Sequence, residues 1–256
     1  MTRDSVDVQQ RLAGLQQELQ LARQALEDFT YSVSHDLRAP LRHIGAYLKI
    51  IREDMGAGMD PAINAHLQTV SDAALLLGRQ MDGLLELSRL GQSDLCLSDV
   101  DLSRLIAQVG EQVTSAFPDR PLLWRVAPGL PVVRCDMALL GQMLIHLLGN
   151  AVKFSATAGS PCVSVDWSSA GEGFCRLTIS DNGVGFDSRF QDRLFRVFQR
   201  LHSNRQSPGF GDGLGIGLAF ARQVVERHGG GIQIRGDLNP GCEVSLTLPL
   251  AGEGKH

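Results

Sequence analysis

Leu12, Leu15, Leu19, Ala22, Leu26, Phe29 and Val33 recur at spacings that alternate between three and four. Such alternation is a heptad seam, here sustained over about three heptads, and it confines the N-terminal part to long helices that must pack against other helices. The seam continues through Leu37, Leu41, Ile44, Leu48 and Ile51. It stops at Met55–Asp60 (MGAGMD), where two glycines precede Asp60-Pro61. That reads as a turn followed by a helix start, with Asp60 as N-cap and Pro61 at the first helical position. A second seam, Ile63, Leu67, Val70, Ala74, Leu77, Met81 and Leu84 or Leu85, fades at Gly91. Two amphipathic helices on a short loop form an antiparallel hairpin. One hairpin leaves much apolar surface wet, and two paired make a four-helix bundle, so the expectation is a homodimer through residues 12–90. A plain coiled-coil spacer fits the spacing equally well.

Residues 29–44 read FTYSVSHDLRAPLRHI. Pro40 lacks a backbone N–H and leaves the carbonyl of Asp36 without its helical partner, so the helix is expected to bend there. His35 is two positions past Val33, about 200° round the helix, and therefore faces solvent. A neutral imidazole can act as a nucleophile, and Asp36 can accept its ring N–H and leave the other nitrogen's lone pair free.

Composition narrows the field. The 256 residues carry 24 Lys plus Arg against 28 Asp plus Glu, for a net charge of −4. That balance argues against a nucleic-acid partner. The polar opening MTRDSVDVQQ shows no signal peptide, and the apolar stretch Ala138–Val152 is shorter than a membrane span. Cys96, Cys135, Cys162, Cys175 and Cys242 are odd in number and never spaced as CxxC. Free buried thiols in a cytoplasmic protein are expected, with no zinc site.

From about Leu95 the pattern changes to alternating elements. Asp101 or Ser103 caps a short helix through Val109, and Asp136–Phe154 is a strongly apolar helix. Leu122–Ala127, Pro131–Arg134, Val163–Trp167, Phe174–Ile179, Gly231–Arg235 and Glu243–Leu248 read as strands, with helices at Ser188–Phe195 and Leu214–His228. The implied architecture is an α/β sandwich, helices on one face of a mixed, mainly antiparallel sheet. The expected domains are a coiled-coil lead helix (1–28), the hairpin (29–92) and the α/β domain (96–252).

Three clusters in the α/β part suit a nucleotide. His146, Asn150 and Lys153 lie three and four apart on one helix face. An Asn carbonyl suits a hard cation such as magnesium and a Lys suits a phosphate, although Asn150 can equally satisfy neighbouring backbone. Asp181-Asn182-Gly183-Val184-Gly185 follows a strand, so its carboxylate can accept an adenine amino group; DNGxG is also a common turn. Gly211, Gly213, Gly215 and Gly217 run into a helix N-terminus, where N–H groups and the helix dipole favour an anion. No GK[ST] follows, which excludes a Walker loop. Leu201–Phe210 before it is polar and fits a mobile lid.

The order of these clusters, with FRVFQRLH between the last two, strongly resembles the sensor histidine kinases of two-component signalling, and SVSHDLRAPLRHI and FQRLH look most like the phytochrome-type branch. The resemblance runs from about Leu12 to Leu248 and implies an ATP-dependent protein-histidine kinase. It makes His35 the phosphoacceptor and Asp36 its general base. It implies that Asn150 holds magnesium at the ATP phosphates, that Lys153, Arg200 and His202 lie near the phosphates or lid, and that Asp181 binds the adenine amino group beside Gly183 and Gly185. Phe195 and Phe198 would anchor the lid base, and Gly213, Gly215 and Gly217 would shape its end. A response-regulator receiver domain would take the phosphoryl group, and an upstream sensor module or protein would supply the signal.

Three departures qualify the match. His146 stands where the family usually has a first Asn. Ala39 stands where many relatives have Thr or Asn, which implies weak phosphatase activity toward the regulator. No sensor domain is visible. A non-catalytic docking module remains an alternative. A chaperone-, gyrase- or mismatch-repair-type ATPase would use a Glu on the Asn helix, and Asp136–Phe154 contains none.

Overall fold

The structure is a computed structural model that describes residues 3–91, 94–116, 121–156, 158–199, 213–236 and 241–252. The chain divides into two compact units, one on each side of residues 92–93.

The first unit is the hairpin. Helix α1 spans Arg3–Met55 and runs unbroken through Pro40. It ends in a 3-10 turn at Gly56–Gly58, where Gly56 takes a φ of +56° that a side chain would oppose. Helix α2 spans Pro61–Leu90, and Asp60 caps it by accepting the N–H of Ala62 at 2.7 Å. Arg38 reaches Asp82 and Arg52 reaches Gln68, both at 2.7 Å, which fixes the register of the two helices. Much of the seam is uncovered: Leu12 is 57% and Phe29 66% exposed, and Leu15, Val33, Leu37 and Ile44 are exposed too, whereas Leu48 is buried. An exposed apolar row of this kind is an association surface.

The second unit carries strands β1 (Leu97–Asp101), β2 (Leu123–Val126), β3 (Val132–Asp136), β4 (Cys162–Ser169), β5 (Phe174–Asp181), β6 (Ile232–Arg235) and β7 (Cys242–Pro249). Its helices are α3 (Leu102–Ser115), α4 (Met137–Ser155) and α5 (Gly217–Arg227). Five strands form one sheet in the order β2-β4-β5-β7-β6, with β2–β4 parallel and the other pairs antiparallel. This is the expected mixed sheet. Burial alternates along it: Val163 and Val165, then Cys175, Leu177 and Ile179, then Val244, Leu246 and Leu248 face the helices and are buried. The other face is polar, as one-sided sheets require.

Several expectations are corrected. Strand β1 falls in a stretch assigned no element from sequence; it pairs antiparallel with β3 in a separate two-stranded sheet. Helix α3 runs to Ser115 rather than Val109, capped by Asp101, which accepts the N–H groups of Ser103 and Arg104. Residues Ser188–Arg193 are 3-10 rather than α-helical, and α5 begins at Gly217 rather than Leu214. Helix α4 has 19 residues, long and apolar enough to cross a membrane by length and composition. Its residues Leu140, Met143, Leu144, Leu147, Leu148, Ala151 and Val152 are buried, and their burial against the sheet and the other helices places α4 at the centre of this unit. The thiols are free, but Cys96 is exposed and Cys162 and Cys242 are half-buried; full burial holds for Cys135 and Cys175.

Candidate functional site

In the hairpin, His35 is 70% exposed, on the solvent face as its spacing predicts. Its Nδ1 lies 3.2 Å from Oδ1 of the neighbouring Asp36. An ionised carboxylate only accepts, so Nδ1 is the donor, and in the neutral imidazole the lone pair then sits on Nε2. Tyr31 lies one turn earlier, its ring stacked on the imidazole.

In the α/β unit, α4 gathers the motifs. Asp136 caps its start, accepting the N–H groups of Ala138 and Leu139 at 3.0 and 3.1 Å. Asn150 and Lys153 are half-buried in its last turns. Three glycines, two in loops and one at the start of α5, abut this helix so closely that a side chain would not fit freely. A Cβ on Gly183 would fall 2.2 Å from the carbonyl oxygen of Phe154. One on Gly213 would fall 3.0 Å from Nζ of Lys153, and one on Gly217 3.2 Å from Cβ of His146. The DNGVG segment therefore packs on the end of α4 at Phe154, and the GLGIG segment on the side that carries His146 and Lys153.

Asp181 ends β5 beside this junction. Its Oδ1 accepts the N–H of Gly183 at 2.9 Å. Burial raises its carboxyl from the ordinary 3.8 to about 6, although hydrogen bonds from the N–H groups of Gly183 and Cys242 hold it down. A half-buried carboxylate is an acceptor that suits a donor such as an exocyclic amine. Gly185 takes φ +61° between the carbonyl oxygens of Gly236 and Gly241, each 2.8 Å from where a Cβ would sit. Asn182 plays a separate part that the motif alone did not disclose. Its amide donates to the Ser160 carbonyl at 2.8 Å, and its Oδ1 accepts the Cys162 N–H at 2.9 Å, so it anchors the chain entering β4.

His146 acts in packing. Its ring meets Phe220 of α5 edge-on, centroids 5.2 Å apart, beneath Gly217. The position read as a departure in metal or phosphate contact thus seats the start of α5. Phe198 holds φ +64°, rare for an aromatic residue, and its N–H donates to the Gly215 carbonyl at 2.8 Å. Gly215, itself at φ +70°, has no room for a Cβ beside Phe198 and Gln199. Phe195 lies under the Arg222 guanidinium at 5.9 Å. Arg200, His202 and residues 201–212 lie outside the described residues.

The family described as "His Kinase A (phospho-acceptor) domain" matches residues 25–93, and "Histidine kinase-, DNA gyrase B-, and HSP90-like ATPase" matches residues 135–252. The chain belongs to the sensor histidine kinases. Its two units are the helical hairpin and the α/β ATP-binding domain of a kinase core. Cyanobacterial phytochrome B of Nostoc sp. is 32% identical over 237 residues, covering 93% of this kinase chain and 31% of that protein. The methanogenesis regulatory histidine kinase FilI of Methanothrix harundinacea is 28% identical over 249 residues, covering 97% and 27%. The crystal structure of full-length ShkA in complex with AMPPNP aligns with a TM-score of 0.61 at 25% identity, over 88% of this chain and 46% of that one. The chain therefore spans about a third of the length of the curated relatives it matches.

Proposed function

We propose that the chain phosphorylates itself on His35 with ATP and passes the phosphoryl group to an aspartate on a response-regulator receiver domain. The observation that carries this reading is the exposed His35–Asp36 pair, 3.2 Å apart, in a chain that also builds the α4 junction of Asp181 and the two glycine loops. In the reaction Nε2 attacks the γ-phosphorus in line. A nitrogen–phosphorus bond forms, the bond to the β,γ-bridging oxygen breaks, ADP leaves, and the Nδ1 proton passes to Asp36. Asp181 accepts the adenine amino group, and Gly183 and Gly185 let the backbone approach the base. Lys153 faces the phosphates, a role the sequence also gives Arg200 and His202, and Gly213, Gly215 and Gly217 shape the backbone around them.

Asn150 offers an amide oxygen, a hard donor that fits magnesium when phosphate oxygens and water complete the shell. When bound, magnesium neutralises charge on the phosphates. The uncovered seam supports a homodimer through residues 12–90, and the lead helix, residues 1–28, suits coupling to a sensor module. Domain limits of 29–92 and 96–252 and a cytoplasmic location complete the proposal. Ala39 has no hydroxyl or amide to orient water, so phosphatase activity toward the regulator is expected to be weak; strong dephosphorylation would contradict this.

The test is incubation with magnesium and γ-labelled ATP beside His35→Gln. Acid-labile, base-stable label absent from the variant supports the reading. No label despite ATP binding would turn it toward a non-catalytic docking module.

A further inference from the structure

Tyr31 stands one helical turn before His35, with ring centroids 6.5 Å apart and ring planes inclined by 23°. Packing does not account for a large aromatic at this position. Tyr31 is two positions from both Phe29 and Val33 of the seam, about 200° round the helix from each. It is 56% exposed, so the hairpin interior does not cover it, and its place about 200° from Phe29 and Val33 sets it off the seam. The face it occupies is that of His35. Helical side chains lean toward the N-terminus, so the imidazole leans over the turn that carries Tyr31.

We propose that Tyr31 is a positioning residue for His35, holding the imidazole plane by stacking on one face while leaving both nitrogen-bearing edges open. This rests on the reading of His35 as the phosphoacceptor. Asp36 constrains the ring within its plane through Nδ1, and Tyr31 constrains its rotation out of that plane. With both in place the remaining edge carries Nε2. In-line attack needs that lone pair aimed at phosphorus, and a freely turning ring offers it only part of the time. This effect acts at the chemical step and does not touch ATP binding. Phe supplies the stacking face as well as Tyr does; Leu supplies bulk alone.

The experiment uses the full chain with magnesium and labelled ATP, comparing wild type with Tyr31→Phe, Tyr31→Leu and Tyr31→Ala over a range of ATP concentrations. Tyr31→Phe is expected to label His35 at the wild-type rate. Leu and Ala are expected to lower kcat by roughly 3- to 10-fold, in keeping with one aromatic contact, and to leave KM for ATP unchanged. Wild-type kcat in Tyr31→Ala overturns the proposal, as does Leu matching Phe, or a change confined to KM. Phosphoramidate, which phosphorylates histidine without ATP, gives the second arm, read at His35 by mass spectrometry. Slower phosphoramidate labelling of the Ala and Leu variants, in a chain ATP fails to label, would sink the kinase reading and leave Tyr31 its role. ATP labelling that is indifferent to Tyr31 would do the reverse.

Discussion

The backbone N–H of Asp136 donates to Nε2 of His228 at 2.9 Å, across 92 positions of sequence. Both residues are buried. The other ring nitrogen of His228, Nδ1, lies 2.8 Å from the Val224 carbonyl, so it carries the proton and the imidazole is neutral. Oδ2 of Asp136 accepts the Cys96 N–H at 3.0 Å while Oδ1 caps α4. One residue thus ties together the approach to β1, the start of α4 and the end of α5.

Replacing His228 with Leu removes the acceptor and leaves the Asp136 N–H buried without a partner. The expected cost is about 1–3 kcal/mol of stability, read as a lower urea midpoint. An unchanged midpoint would show that water or a shifted backbone takes over the bond.

Asp181 sets a pH dependence of both stability and binding. Because its folded carboxyl is raised to about 6 from 3.8, the folded chain takes up a proton near pH 4–6 that the unfolded chain does not. Its contribution to stability therefore falls as pH rises through that window and is level above it. Asp181→Asn should remove this dependence and raise the urea midpoint at pH 7. The same variant should lose nucleotide affinity, because the ionised acceptor is gone. Wild-type affinity should weaken as pH falls from 7 to 5, measured by calorimetry with ATP.

Gly183→Ala should abolish nucleotide binding, since the new methyl would meet the backbone carbonyl of Phe154, which cannot swing aside as a side chain could. Gly159→Ala is the control, because nothing lies within 4 Å of its Cβ position. Equal affinities in the two variants would show that the DNGVG loop re-forms away from α4.

The thiols should react in two groups. Cys96 is exposed. Burial pushes Cys135 up to about 12, and burial with the nearby Asp181 and Glu243 carboxylates does the same to Cys242. The thiolate is the reactive species, so a disulfide reagent at pH 8 should modify Cys96 first and leave Cys135, Cys175 and Cys242 until urea is added.

What could be read from sequence depended on the range of the signal. Asp60-Pro61, the seams and the DNGVG and GLGIG runs are local, and each names its own backbone geometry. Strand β1 was invisible because LSDVD buries only Val100 and its partner β3 lies more than thirty residues on. The Asp136–His228 bond had no local sign either: each residue looks like an ordinary helix end until the fold brings them together. His146 was legible as unusual but not as packing, because Phe220 and Gly217 are supplied by a distant helix. Phe198 at positive φ carries no sequence signature, since its conformation is imposed by the bond to Gly215.

The one-sided sheet divides its strands into two evolutionary regimes. Val163, Leu177 and Leu246 face the helices and are confined to residues of similar volume. Their neighbours Ser164, Arg176 and Ser245 face away and can drift among many polar types. Across a large set of tolerated variants, β4, β5 and β7 should show constraint and freedom with a period of two residues, while α4, gripped by two loops and the sheet, should show almost no free position in its last two turns.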